Sequence, residues 1–143
     1  MRLVDIDPSD DRLIGDVLPV LRELRPHLDA TLLDAIYTEG SPQGLRFTAA
    51  YDADGRCVGV AGWRLVATTH SLRKLYVDDL VTSADLRCTG VGAALISELA
   101  RRARAAGCTA LDLDSGVARH DAHRFYFRVG MHIASHHFVL ALE

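Results

Sequence analysis

Two glycines one residue apart and two adjacent acids are the residues of this 143-residue chain whose types and spacing best suit chemistry. Gly90 and Gly92 lie in the stretch Arg87-Cys88-Thr89-Gly90-Val91-Gly92-Ala93, which apolar residues follow at helical spacing. Glycine at the mouth of a helix costs backbone entropy. That mouth also presents unpaired N–H groups and the positive end of the helix dipole. With no Cβ in the way, a bulky anion can approach the backbone, and phosphate or pyrophosphate is the natural ligand. Arg87 at the entrance adds a charge-assisted contact. The same glycines also suit a turn or close packing, so the local pattern does not decide. Two nucleotide-binding patterns fail here. A P-loop needs Lys–Ser/Thr after its last glycine, where this chain has Ala93–Ala94. A Rossmann fingerprint needs a small residue where Leu95 stands, and a strand directly before it, where the polar stretch 83–89 intervenes.

Asp78 and Asp79 interrupt an apolar run of strand character, where acids are depleted. As neighbours on a strand they point to opposite faces, so one at most faces a given side of a cleft. Their alternative use is to hold arginines or cap a loop. Seven histidines invite a metal reading, with His120, His123, His132, His136 and His137 late in the chain. His136 and His137 are adjacent on an expected strand and suit chelation poorly, so no metal is expected. His120 or His123 is left as a proton shuttle. The basic run 101–104 falls at a helix end, where cations suit the dipole and a solvated face is expected.

The elements that must position these residues read as follows. A first strand covers 3–6, closed by "DPSDD", a helix-starting sequence. Leu13, Val17, Leu18, Val20, Leu21 and Leu24 recur at helical spacing until Pro26. A second helix over 28–38 carries Leu32, Leu33 and Ile36 and ends at Gly40. Strands at 45–51 and 56–68 flank "DADG", a hairpin signal because Asp and Gly tolerate the positive φ of tight turns. A third strand of this meander, 72–82, sets Leu75, Val77, Asp79 and Val81 on one face and Tyr76, Asp78, Leu80 and Thr82 on the other. A helix over 90–106 has the apolar face Val91, Leu95, Leu99 and Ala103, and stops at Gly107. A strand at 109–114, a short helix at 120–129 closing at Gly130 and a last strand at 136–142 complete the chain. The expected fold is one α/β domain over 1–143: a mixed sheet, antiparallel first and then strand–helix–strand with a right-handed parallel crossover, flanked by about four helices. Trp63 is assigned to the core or a pocket wall.

The bulk properties limit the function. A net charge of −3 gives no general attraction to nucleic acid or to anionic membranes. No run approaches membrane-spanning length, and the start "MRLVDIDPSDD" lacks an apolar signal region, so a cytoplasmic protein is expected. Cys57, Cys88 and Cys108 are odd in number and without CxxC spacing, which reads as reduced thiols.

At this point the residues resemble a known family. "LYVDDLVTSADLRCTGVGAALI" is similar to motif A of the GNAT superfamily of CoA-dependent N-acetyltransferases, and "AHRFYFRVGM" resembles its motif B, in the right order and with a strand between them. The resemblance implies that pantetheine lies along the backbone of Leu80, Val81 and Thr82 like an added strand. It places the pyrophosphate on the amides of Arg87, Cys88, Thr89, Gly90, Val91, Gly92 and Ala93, which would answer what the glycines hold. It makes Tyr126 the general acid for the departing thiolate. Where many members have an asparagine touching the pantetheine arm, this chain has Arg119, which puts that contact in question. The implied reaction is direct transfer of acetyl from acetyl-CoA to an amine of a small molecule or peptide. An amine must lose its proton first; Asp79 matches a frequent family acid and is the first candidate base, with Asp78 second. Cys88 in the phosphate loop argues against a covalent intermediate. The rival reading is a non-catalytic acyl-CoA sensor of the same fold. No nucleic-acid or membrane partner is expected, and a homodimer is suggested by analogy alone.

Overall fold

The computed structural model describes residues 1–87 and 89–143; Cys88, assigned above to the phosphate loop, lies outside the described residues. The chain divides into two compact units, 1–112 and 113–143. In order, the elements are β1 (Arg2–Ile6), a wide π-type turn over Leu13–Val17 that feeds α1 (Leu18–Leu24), α2 (Ala30–Gly40), β2 (Arg46–Tyr51), β3 (Cys57–Thr68), β4 (Leu72–Thr82), α3 (Val91–Ala105), β5 (Ala110–Leu113) and α4 (His120–Arg128). The strands lie in sequence order across one sheet, an antiparallel meander through β4 and then β5 parallel to β4. This is the expected mixed sheet, with boundaries within a few residues of those read from the pattern.

Local chemistry explains most of these boundaries. Asp29 caps α2 by accepting a hydrogen bond from the Leu32 amide at 2.8 Å. The buried stripe of that helix is Leu33, Tyr37 and Gly40. Leu32 and Ile36, grouped with Leu33 in the sequence reading, lie one stripe around and are exposed. The Tyr37 hydroxyl donates to the Ile6 carbonyl at 2.6 Å, tying α2 to β1. In the β2–β3 turn the Asp52 carboxylate accepts from the amides of Asp54 and Arg56, and Gly55 takes the left-handed φ of +79°.

Phe47 to Tyr51 of β2 and Val58 to Trp63 of β3 are buried continuously, without the alternation of a half-exposed sheet. Both faces of the central strands are therefore covered. α3 contributes Val91, Leu95, Leu99 and Ala103, the predicted face, with Ile96 added. Trp63 belongs to the core: its indole N–H donates to the Thr48 hydroxyl at 3.0 Å, which donates to Asp5 at 2.8 Å. Arg102 bonds Asp5 and Glu98, each at 2.8 Å, and lies over the Trp63 ring. The expected solvated face at 101–104 holds for Arg101 and Arg104, which are exposed, and fails for Arg102, whose stem and guanidinium cover an aromatic.

In the second unit, α4 closes at Gly130, where φ is +92°. The strand expected at 136–142 does not form: 131–143 is neither helix nor strand. A strand exists through a neighbour's hydrogen bonds, and among the described residues nothing pairs with this segment. Its apolar side chains are exposed instead.

Candidate active site

β4 carries an irregularity that the alternation pattern does not reveal. Gly62 of β3 faces Asp79, but Trp63 faces Val77, so Asp78 has no opposite residue and forms a bulge. Bulges of this kind re-aim side chains and are frequent beside active sites. Both acids are held by arginines. Arg64 grips Asp78 through both carboxylate oxygens, at 3.0 and 3.1 Å. Arg25 Nε donates to Asp79 Oδ1 at 2.9 Å, and its Nη2 reaches the Asp78 carbonyl at 3.4 Å. The Asp79 side chain is only 17% exposed. Burial is the largest influence on it and lifts its pKa above the ordinary carboxylate range; Arg25 pulls it down and Asp78 pushes it up, with a net rise. Gly62 makes room for this carboxylate, since a Cβ there would sit 3.1 Å from Asp79 Oδ2 and 2.9 Å from the Phe47 ring. Arg25, Arg64 and Gly62 were not found by sequence reasoning, because a pairing across 54 residues leaves no local signal.

On its outer side β4 is paired by β5 over only part of its length. The Thr109 amide donates to the Arg73 carbonyl at 2.9 Å, which fixes the start of β5, and β5 is four residues long. Running parallel to β4 from that point, its four residues end short of Leu80, so β5 does not pair with Leu80, Val81 or Thr82. The chain then passes through one tight turn, Ala84–Leu86, to exposed Arg87 and to Gly90. Gly90 is left-handed, with φ +90°, and a Cβ there would meet nothing within 4 Å. Among the described residues no side chain caps α3, so the first-turn amides of Val91, Gly92 and Ala93 have no side-chain partner among them. The helix rests on the sheet at Gly59, where a Cβ would come within 2.6 Å of Val91 Cγ1. Beside this mouth lies a hollow of about 240 Å³ lined by Leu86, Thr89 and Val91 on one side and by Met1, Asp52, Ala53 and Val58 on the other. An uncapped helix mouth, a left-handed glycine with open space above it and an adjacent hollow fit a phosphate-bearing ligand.

In the second unit, Arg119 immediately precedes α4 and acts on Tyr126. Burial raises the Tyr126 pKa above the usual phenol value, while the charge and hydrogen-bonding influence of Arg119 pull it down; burial wins, and the phenol keeps its proton at neutral pH. His123 Nε2 is 2.8 Å from the Gly116 carbonyl, and the rings of His120 and His123 meet edge to face. Among the described residues no group of three metal-ligating side chains exists. The predicted residues thus fall into two sets: Asp78, Asp79, Leu80–Thr82 and the glycine loop in the first unit, Arg119 and Tyr126 in the second.

Comparison with known proteins adds the following. Residues 12–131 match the acetyltransferase (GNAT) family. The uncharacterized N-acetyltransferase YhdJ of Bacillus subtilis is 33% identical over 122 residues, covering 84% of this chain and 85% of that protein. A crystal structure of a Trypanosoma brucei acetyltransferase superposes with a TM-score of 0.77 at 25% identity, covering 99% of both chains. The ribosomal-protein-alanine N-acetyltransferase of Brucella melitensis shares the fold, with a TM-score of 0.82 at 17% identity over 99% of this chain and 100% of that one.

Proposed function

The chain belongs to the GNAT family of acetyltransferases and is an acetyl-transferring enzyme, and from that premise we propose that its donor is acetyl-CoA, its acceptor a primary amine, and its route direct attack, with 1–143 acting as one domain. The observation that carries the donor is the mouth of α3: an uncapped helix start, entered through a left-handed glycine, with open space and a hollow beside it. The amides of the 87–93 loop hold the pyrophosphate, and the β4 edge at Leu80, Val81 and Thr82, which β5 does not pair, takes the pantetheine amides as a strand takes its neighbour. Bound acetyl-CoA supplies an activated acyl group as a thioester.

The chain's own residues supply the proton chemistry. Asp79 takes the proton of the incoming ammonium through Oδ2, the oxygen that Arg25 does not hold. Its raised pKa brings it closer to the working pH of a general base than an ordinary carboxylate. Asp78 is the weaker candidate, because Arg64 occupies both of its oxygens. Tyr126 donates to the departing thiolate, and Arg119 orients its hydroxyl. This assigns Arg119 to the tyrosine rather than to the pantetheine arm. No helix among the described residues is long and apolar enough to cross a membrane; a cytoplasmic location and a homodimer complete the reading.

The donor is tested by thermal unfolding. A ligand that binds only the folded chain raises its Tm by mass action. CoA and acetyl-CoA raise it at millimolar concentration, and ATP and NADH raise it much less. A shift with ATP or NADH and none with acetyl-CoA overturns the assignment of the glycine loop.

A further inference from the structure

The end of α1 brings a cation to the side of the proposed base. Arg25 is the first residue past that helix, with φ −123° and ψ 76°; Pro26 disfavours helical backbone in the residue before it. From there the side chain crosses to β4, where Nε donates to Asp79 Oδ1 at 2.9 Å and Nη2 reaches the Asp78 carbonyl at 3.4 Å. A guanidinium carries five N–H groups in a planar fork, and these bonds use two of them. The Arg25 side chain is 46% exposed against 17% for the Asp79 it holds, so the fork is reached from solvent. Arg64 offers nothing comparable. Its Nε and Nη2 close on both oxygens of Asp78, each side chain is only 24% exposed, and the charges of the pair cancel.

We propose that the acceptor is a free amino acid, its amine directed to Asp79 Oδ2 and its carboxylate held by the exposed N–H groups of Arg25. This deepens the amine reading above and rests on Asp79 as the base. Distance comes first. The amine and the guanidinium bond the two oxygens of one carboxyl group, so two hydrogen bonds and that group separate them, at most ~8 Å. A carboxylate on the carbon that bears the amine fits inside that span, and arginine binds carboxylates through two N–H groups at once. Charge selects next. A polyamine or a polycationic drug brings a further ammonium toward the guanidinium, where like charges repel. A peptide N-terminus brings a neutral amide, which leaves the guanidinium unanswered. The reaction itself adds to the preference. When Asp79 takes the proton of the ammonium it becomes neutral, and Arg25 loses its countercharge; the carboxylate of the acceptor then replaces it. A contact that strengthens as the reaction proceeds raises kcat as well as affinity. The product is the N-acetyl amino acid, with the amine's proton on Asp79 and the departing thiolate protonated by Tyr126.

The test follows CoA release and acetylated product with each standard amino acid and, beside it, its carboxamide, which keeps the amine and the side chain and removes the charge. The amine of the carboxamide is the less basic, so more of it is free at neutral pH and intrinsic reactivity favours the amide. At least one amino acid is acetylated with kcat/KM tenfold or more above its amide. That ratio falls toward one in Arg25→Gln and is partly kept in Arg25→Lys. Loss of Asp79 positioning slows acid and amide alike, so the ratio reads carboxylate binding alone. An amide as good as its acid, or a ratio that Arg25→Gln leaves unchanged, overturns the carboxylate contact and leaves Asp79 as the base. Acetylation of polyamines, drugs or peptides with no free amino acid acetylated overturns the acceptor class alone. No release with any amine overturns the transfer reading along with it. The comparison of acid with amide is made on the wild-type chain, so it decides the point even where Arg25→Gln fails to fold.

Discussion

Asp79 shows how a residue visible in the sequence takes its chemical meaning from neighbours that are not. Two acids in an apolar strand stand out in the sequence, but the bulge that frees Asp78 from the β3 register and the arginines that hold both acids do not. Because burial raises the Asp79 pKa in the folded chain, the folded state binds this proton more tightly than the unfolded state does. Ionising it therefore costs stability as the pH rises from the unfolded carboxylate range, near 3.9, through the raised value. The same shift moves the acidic limb of kcat/KM upward from where an ordinary carboxylate would put it. In Asp79→Asn that limb disappears, and the lost rate is partly recovered at high pH, where free amine exists without help; an unchanged limb removes Asp79 as the base. At the other proton, Tyr126→Phe keeps the ring and loses the donor, so turnover falls roughly 10²–10⁴-fold while acetyl-CoA affinity holds. A thiol of pKa near 8.5 is already a fair leaving group, which sets the expectation at the low end. If Arg119 orients that hydroxyl, Arg119→Met lowers kcat with little change in the KM for acetyl-CoA. A large KM effect with kcat intact would return Arg119 to the pantetheine arm.

Among the elements, α3 was the most legible, because its period, its buried face and its glycine stop are all local signals. What the sequence could not separate was the work of its two glycines. Gly90 has a backbone reason of its own: at φ +90° a side chain costs about 1–3 kcal/mol whether or not a ligand binds. Gly92 lies inside the helix, where valine is a better helix former than glycine. Gly92→Val is therefore the cleaner probe. It should fold, and it should weaken CoA binding tenfold or more, about 1.4 kcal/mol; isothermal titration with an unchanged Kd would remove the loop from the site. The far end of α3 gives a second prediction. Arg101 and Arg102 bond Glu98 and hold its carboxyl down to about 2. A pKa lowered on folding gives stability that is present above the unfolded value and lost as the pH falls. Between about pH 4.5 and 2 the wild-type Tm should fall more steeply than that of Glu98→Gln, with the two curves parallel above that range.

On the scale of the whole molecule, the meander and the parallel crossover were readable because strand and helix periods, the Asp-Gly turn and the glycine helix stop are set by nearby residues. The C-terminal strand was not. Its pattern in 136–142 is that of a strand, and among the described residues it pairs with no neighbouring strand. Sequence pattern reports the capacity to pair, and the pairing is a fact about the fold around it. The acceptor is unreadable for a related reason: neither the helical segment 9–40 nor the strand ends at 66–73 carry a motif whose chemistry selects one amine over another.

The central claim, acetyl transfer from acetyl-CoA to an amine, is tested most directly by following CoA release from acetyl-CoA across a panel of drug-like, polyamine, metabolite and peptide amines, with the acetylated product measured beside it. The account predicts that at least one amine releases CoA in equal amount to acetylated amine, and that Tyr126→Phe slows that release without weakening acetyl-CoA binding. Tight acetyl-CoA binding with no amine-dependent release from any member of the panel would contradict it and leave an acyl-CoA-binding protein in its place.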